Sequence, residues 1–211
     1  VVMESTGIYW KSTYAALEAV GIIAWVVNAR HVKAVPGRKT DVADAQWLAS
    51  LARAGLLRAS FIAKADLRSL RHIARHRQKL GGMLASEKNR LHKLLTDAGI
   101  RLGVVVSDLH GQSARAMVKA LIAGKTVPEV LNLASTRLRA SREDIFEALQ
   151  AEEITSAHRF VLGEIMAHIE ELEQRMARFD AQLLRCLQDA GYGVPLRLLQ
   201  TLPGIDQMGA A

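Results

Sequence analysis

Apolar positions along this chain change period twice, and each change marks a boundary between kinds of element. Residues 1–4, Val-Val-Met-Glu, read as the end of a buried strand that breaks at Ser5-Thr6-Gly7. Residues 8–20 repeat at helical spacing and stop at Gly21, a residue type that often closes helices. Residues 22–27 are apolar throughout and rich in β-branched side chains, the pattern of a strand covered on both faces. Strand, helix and strand in that order predict an α/β layer. A loop is expected through Pro36-Gly37-Arg38-Lys39, then a helix from Thr40 or Asp41 to Gly55 and a short strand over 56–62.

From Lys64 the period becomes helical. Leu67, Leu70, Ile73, Leu80, Leu84, Leu91 and Leu94 predict one long helix to about Ala98, with Gly81-Gly82 as a weak point for a kink. Residues 99–151 read as short helices and turns, punctuated by glycines and Pro128. The clearest periodicity follows. Leu162, Ile169, Met176 and Leu183 step by seven, with Ile165, Leu172, Phe179 and Cys186 between them, which predicts a coiled-coil helix over 155–190. Cys186 lies in that seam, where a packed thiol is expected rather than a nucleophile. The turn Leu202-Pro203-Gly204-Ile205 opens a further segment.

Composition narrows the class. Of the 211 residues, 50% are apolar and 23% charged, which excludes a wholly disordered chain. The longest apolar run, residues 20–27, is too short to cross a bilayer. One cysteine cannot build a disulfide framework, so a reducing, cytoplasmic setting is expected. The opening Val-Val-Met-Glu reads as mid-strand, and the chain is expected to be a piece of a longer protein.

Charge is concentrated. Residues 64–93 carry nine Lys and Arg against two acids, a local +7 equal to the net charge of the chain. The basic residues are Lys64, Arg68, Arg71, Arg75, Arg77, Lys79, Lys88, Arg90 and Lys93, many three or four apart. On a helix they form a stripe suited to neutralising phosphates. The alternative is a solvated face, or a strip that pairs with the acidic segment 152–190.

Three carboxylates are candidates for chemistry. Glu4 closes the first strand, and functional groups of α/β sheets gather at strand carboxyl ends. Asp41 and Asp44 lie three apart, on one side of a helix's first turn. As a pair they are explained by capping. If their helix packs beside the strand end, three acids converge, an arrangement that a hard divalent cation such as Mg²⁺ would neutralise. Two such ions can clamp the oxygens of a phosphodiester exchange, with Arg38 and Lys39 beside the phosphate.

At these residues a resemblance becomes specific. Glu4-Ser5-Thr6-Gly7-Ile8-Tyr9-Trp10 and Lys39-Thr40-Asp41-Val42-Ala43-Asp44-Ala45, with Asn28-Ala29-Arg30-His31-Val32-Lys33 between, resemble the DEDD-type transposases of bacterial insertion sequences, the insertion sequence 110 family with its Piv-like recombinases. The resemblance extends over essentially the whole chain. It implies α/β plus α architecture: a partial RuvC-like, RNase-H-type catalytic domain over 1–63, a basic helical region over 64–153, a coiled-coil helix over 154–191 and the start of a further transposase domain over 192–211. It implies Mg²⁺ bound by Glu4, Asp41 and Asp44, the first family aspartate lying upstream and a nucleophilic serine downstream, so that this segment alone is expected to be inactive. It also implies DNA as substrate, a structured guide RNA as partner, and homo-oligomerisation through the coiled coil. Arg38, Lys39 and the basic stripe would then face nucleic acid.

Other features have simpler readings. His72, His76 and His92 are expected to be solvated or phosphate-facing, Asp108-Leu109-His110-Gly111 a turn, and Trp10, Trp25 and Trp47 core. Leu202-Pro203-Gly204-Ile205 is reminiscent of a DNA-binding hairpin, but Asp206 stands where such hairpins prefer glycine. Two rival functions remain: a non-enzymatic coiled-coil nucleic-acid-binding protein, and a RuvC-like Holliday-junction nuclease.

Overall fold

The computed structural model describes residues 1–32, 41–150 and 154–211, with the side chains of His31 and Asp41 outside that description. Arg38, Lys39 and the expected loop 36–39 therefore lie outside the described residues. The chain divides into two compact units, Val1–Ser69 and Leu70–Ala211.

Among the described residues the first unit holds two short parallel strands, β1 (Val2–Glu4) and β2 (Trp25–Val27), in the register Val2 with Trp25 and Glu4 with Val27. Between them runs α1 (Trp10–Ala19), so strand, helix and strand follow in the expected order. Gly21 ends the helix turn at φ +73, a left-handed conformation that other residues adopt only under strain. After β2 come α2 (Ala29–Val32) and α3 (Asp41–Arg53), and α3 lies against β1. Two expectations are corrected here. The strand over 56–62 is reduced to one antiparallel bridge, Ala59 with Val27, because only that short stretch meets the β2 edge. The strand over 22–27 contracts to three residues, of which Val26 and Val27 are buried and Trp25 is 42% exposed.

The tryptophan expectation also fails. Trp47 is 38% exposed and Trp10 is only partly covered, its ring meeting Tyr14 edge-on at 6.0 Å. These rings lie on the outer faces of thin elements that a two-stranded sheet cannot enclose.

α4 (Ala65–Asp97) begins in the first unit and continues, unbroken at Gly81-Gly82, into the second. The second unit continues with α5 (Leu102–Val105), α6 (Gln112–Ile122), α7 (Val127–Leu131), α8 (Arg142–Leu149), α9 (Ser156–Asp189), α10 (Gly193–Gln200) and α11 (Gln207–Ala210). Side-chain caps set the helix starts. Ser141 Oγ accepts from the Asp144 amide at 3.0 Å ahead of α8, and Thr155 Oγ1 accepts from the His158 amide at 3.1 Å ahead of α9.

α9 carries the predicted heptad seam, and the seam is filled from within the same chain. Leu162, Ile165 and Ile169 share one buried cluster with Leu91 and Leu95 of α4 and with Met117, Val118 and Leu121 of α6. Pairings between α4 and α9 run in opposite senses: Arg77 with Asp180, Lys88 with Glu173, and Asp97 with His158. The two long helices are therefore antiparallel, and the coiled-coil pattern is accounted for by intramolecular packing. Cys186 is half-buried, its sulfur 3.2 Å from the Gln182 amide nitrogen.

Candidate metal site and nucleic-acid interface

The site at the end of β1 is built by backbone geometry. Glu4 is the last strand residue. The chain then turns away, with the Ser5 amide donating to the Val27 carbonyl and the Thr6 amide to the Glu4 carbonyl, both at 2.9 Å. Gly7 at φ +55 completes that turn, where a residue with a Cβ would be strained. Glu4 is thus held, half-buried, at the carboxyl end of a strand. Asp41 is the first residue of α3, and Asp44 follows one turn later on an exposed surface. Because α3 lies against β1, the helix that opens on Asp41 and Asp44 and the strand that closes on Glu4 are neighbours.

Among the described residues no group of three His, Cys, Asp or Glu side chains is assembled for a metal. The described acids here are Glu4 and Asp44, since the Asp41 side chain is outside the description. Their chemistry fits a hard divalent cation: both are oxygen donors, on adjacent elements of one unit.

The basic residues of α4 divide into two sets. Four are bound within the protein. Arg68 forms a forked pair with Glu18, donates to the Ala63 carbonyl at 2.8 Å and lies 5.2 Å from the Tyr14 ring centroid. Its hydrogen bonds hold the Glu18 carboxyl below its ordinary range. Arg77 is forked onto Asp180, Lys88 approaches Glu173 at 3.5 Å, and Arg90 donates to Glu87 at 2.8 Å. The acidic segment 152–190 thus supplies partners for Arg77 and Lys88. In contrast, Lys64, just before the helix, and Arg71, Arg75, Lys79 and Lys93 are exposed and make no ion pair among the described residues.

Glu173 is the centre of the α9 pairing. Arg115 of α6 grips it with two hydrogen bonds, at 2.7 and 2.8 Å. This grip, opposed by partial burial, depresses the Glu173 carboxyl and raises the Arg115 guanidinium. Nearby, burial first and then the Lys88 charge lower the His110 imidazole. Asp108-Leu109-His110-Gly111 is a turn, in which Asp108 accepts from the His110 amide at 2.8 Å. It also inserts Leu109 into the core, which the sequence reading missed because one apolar residue among four carries no period.

The histidines of α4 differ in role. His72 is exposed, whereas the His76 ring stacks on Phe179 at 4.9 Å and His92 stands against Gly103. Glu87, only 7% exposed, joins Arg90 and faces His168 at 3.6 Å in a hollow also bordered by Glu164 and Glu171. Among the described residues no helix is long and apolar enough to cross a membrane. At the last predicted turn, Gly204 has φ +84 and Asp206 caps α11 by accepting from the Gly209 amide at 2.6 Å.

Residues 1–100 match the DEDD transposase family of insertion sequence 110, described as a transposase. Over this segment the chain is similar to that family. A comparison with curated proteins found no match.

Proposed function

We propose that this chain supplies the metal-binding acids and a DNA-binding surface of an insertion-sequence transposase. In this reading Glu4, Asp41 and Asp44 hold Mg²⁺ in a RuvC-like site, and the reaction is site-specific exchange of DNA strands. When bound, the ion would polarise the phosphodiester and stabilise the oxygens that attack and leave. The side chains of this chain hold the ion and orient the phosphate, with Arg38 and Lys39 on the substrate side. A structured RNA is the proposed guide for target choice. The observation that supports the reading best is the packing of α3, which opens on Asp41 and Asp44, against β1, which closes on Glu4.

The test is recombination by the intact protein carrying Glu4→Gln, Asp41→Asn or Asp44→Asn. Each variant is expected to abolish strand exchange while leaving folding and DNA binding in place. Undiminished exchange in all three would remove the metal site. The rival reading, a helical nucleic-acid-binding protein without catalysis, is supported by the exposed cations of α4 and predicts no loss of function in these variants.

A further inference from the structure

Tyr9 is 80% exposed, yet it stands in the block Glu4-Ser5-Thr6-Gly7-Ile8-Tyr9-Trp10 that carries the strand-end acid. The Thr6 amide donates to the Glu4 carbonyl at 2.9 Å, and the Tyr9 amide to the Thr6 carbonyl at 3.4 Å. Two hydrogen bonds therefore link the backbone of Tyr9 to that of Glu4 at the carboxyl end of β1. One edge of the ring rests on Gly7, where an added Cβ would stand 3.6 Å from Cδ2 and 3.7 Å from Cε2. Among the described residues no other ring meets Tyr9, so its flat faces are open to solvent.

Apolar area stabilises a fold only where it leaves water, so a ring this exposed contributes little to folding. Held at one edge, it keeps its faces for a second flat surface and loses less freedom when that surface arrives. The neighbourhood decides which surface this is. Glu4 and the helix bearing Asp44 lie side by side, and their carboxylates repel a phosphodiester until a cation stands between. Contact with a base adds attraction there without adding charge. A base within a duplex offers its faces only to its neighbours in the stack, so a ring on the protein surface takes a base that has left the stack.

We propose that Tyr9 is a stacking platform for an unpaired base beside the phosphodiester at the acid site. The site then acts on a strand that is open, rather than paired, at the point of reaction. Stacking of this kind tolerates any base, because every base has a flat face, so Tyr9 selects the state of the strand and not its sequence. This role rests on the strand-exchange reading above and adds to it the condition of the substrate.

The experiment titrates the 211-residue chain into a single-stranded DNA of on the order of 10 nucleotides, with a central fluorescent adenine analogue that dims when it stacks. The fully paired duplex of the same sequence is the control. Tyr9→Leu is expected to weaken single-strand binding about tenfold at every salt concentration, with the salt slope unchanged because the lost contact carries no charge. Tyr9→Phe is expected to bind as the wild type does, since it keeps the ring and loses only the hydroxyl. Duplex affinity and melting temperature are expected to be the same in all three proteins, as the side chain is exposed. Wild-type single-strand affinity in Tyr9→Leu would overturn the platform. So would a loss in Tyr9→Phe as large as that in Tyr9→Leu, or equal losses on single strand and duplex. Strand exchange by the intact protein reports separately on the metal site. Glu4→Gln inactive with Tyr9→Leu fully active would keep the metal site and remove the platform. Glu4→Gln active with Tyr9→Leu defective in single-strand binding would remove the metal site and leave the platform standing.

Discussion

Arg77 and Asp180 are joined by a forked ion pair, with Nε donating to Oδ1 at 2.6 Å and Nη2 to Oδ2 at 3.3 Å. The pair ties the basic helix α4 to the acidic end of α9 and raises the Arg77 guanidinium above its ordinary value through that hydrogen bonding. A residue whose spacing suggests phosphate contact is thereby part of the scaffold. Arg77→Ala is expected to destabilise the second unit by about 1–2 kcal/mol, the scale of a charged hydrogen-bonded pair at partial exposure. Its duplex-binding salt slope is expected to remain that of the wild type. Denaturant unfolding and anisotropy on the same preparation check both.

Arg68 behaves similarly in the first unit. Its pairing with Glu18 ties α1 to the start of α4, so Arg68→Ala is expected to loosen that contact without changing the salt dependence of DNA binding. Hydrogen exchange in α1 measures the first effect and anisotropy the second. A reduced salt slope in this variant would return Arg68 to the nucleic-acid surface.

Glu173 makes stability depend on pH. Its carboxyl is depressed by the Arg115 hydrogen bonds from the unfolded value of 4.5. The stabilisation is therefore complete above pH 4.5 and is lost as pH falls through the lower folded-state value. Glu173→Gln is expected to lower stability at neutral pH and to flatten the decline below pH 4.5. Melting temperatures across that range test the slope, and an unchanged slope would assign acid sensitivity to other carboxylates.

Leu172 is 1% exposed within this one chain. Leu172→Ala is expected to cost about 2–5 kcal/mol by removing buried methyl groups and leaving a cavity. Mass by light scattering is expected to stay the same, since the seam is occupied by intramolecular packing. A loss of mass without loss of monomer stability would place this residue in a subunit interface.

Much of this architecture was legible in the sequence because it is written in local periods. The order of β1, α1 and β2, the extent of α4, and α9 with its Thr155 cap all follow from spacing and capping chemistry. The two blocks around Glu4 and Asp41 carried the resemblance to the family that residues 1–100 match. Local pattern failed where an element's fate depends on its neighbours. Trp25 and Trp47 have core composition, but no further layer covers them among the described residues. The short strand expected over 56–62 had an edge of only three residues to join.

By itself the sequence determined the opening order of strand, helix and strand, the two long helices, the heptad seam, and the positions of the acids and bases along the chain. Only the tertiary structure decided which partner fills the seam and which cations stay free. A heptad repeat specifies an apolar stripe, and in this fold its Leu162, Ile165 and Ile169 are met by Leu91 and Leu95 of α4 and by Met117, Val118 and Leu121 of α6. Likewise a basic stripe specifies charge, but whether each charge meets water or a carboxylate depends on an element far away in sequence. Asp180 lies 103 residues beyond Arg77, and that separation is why the division of the α4 cations had to come from the fold.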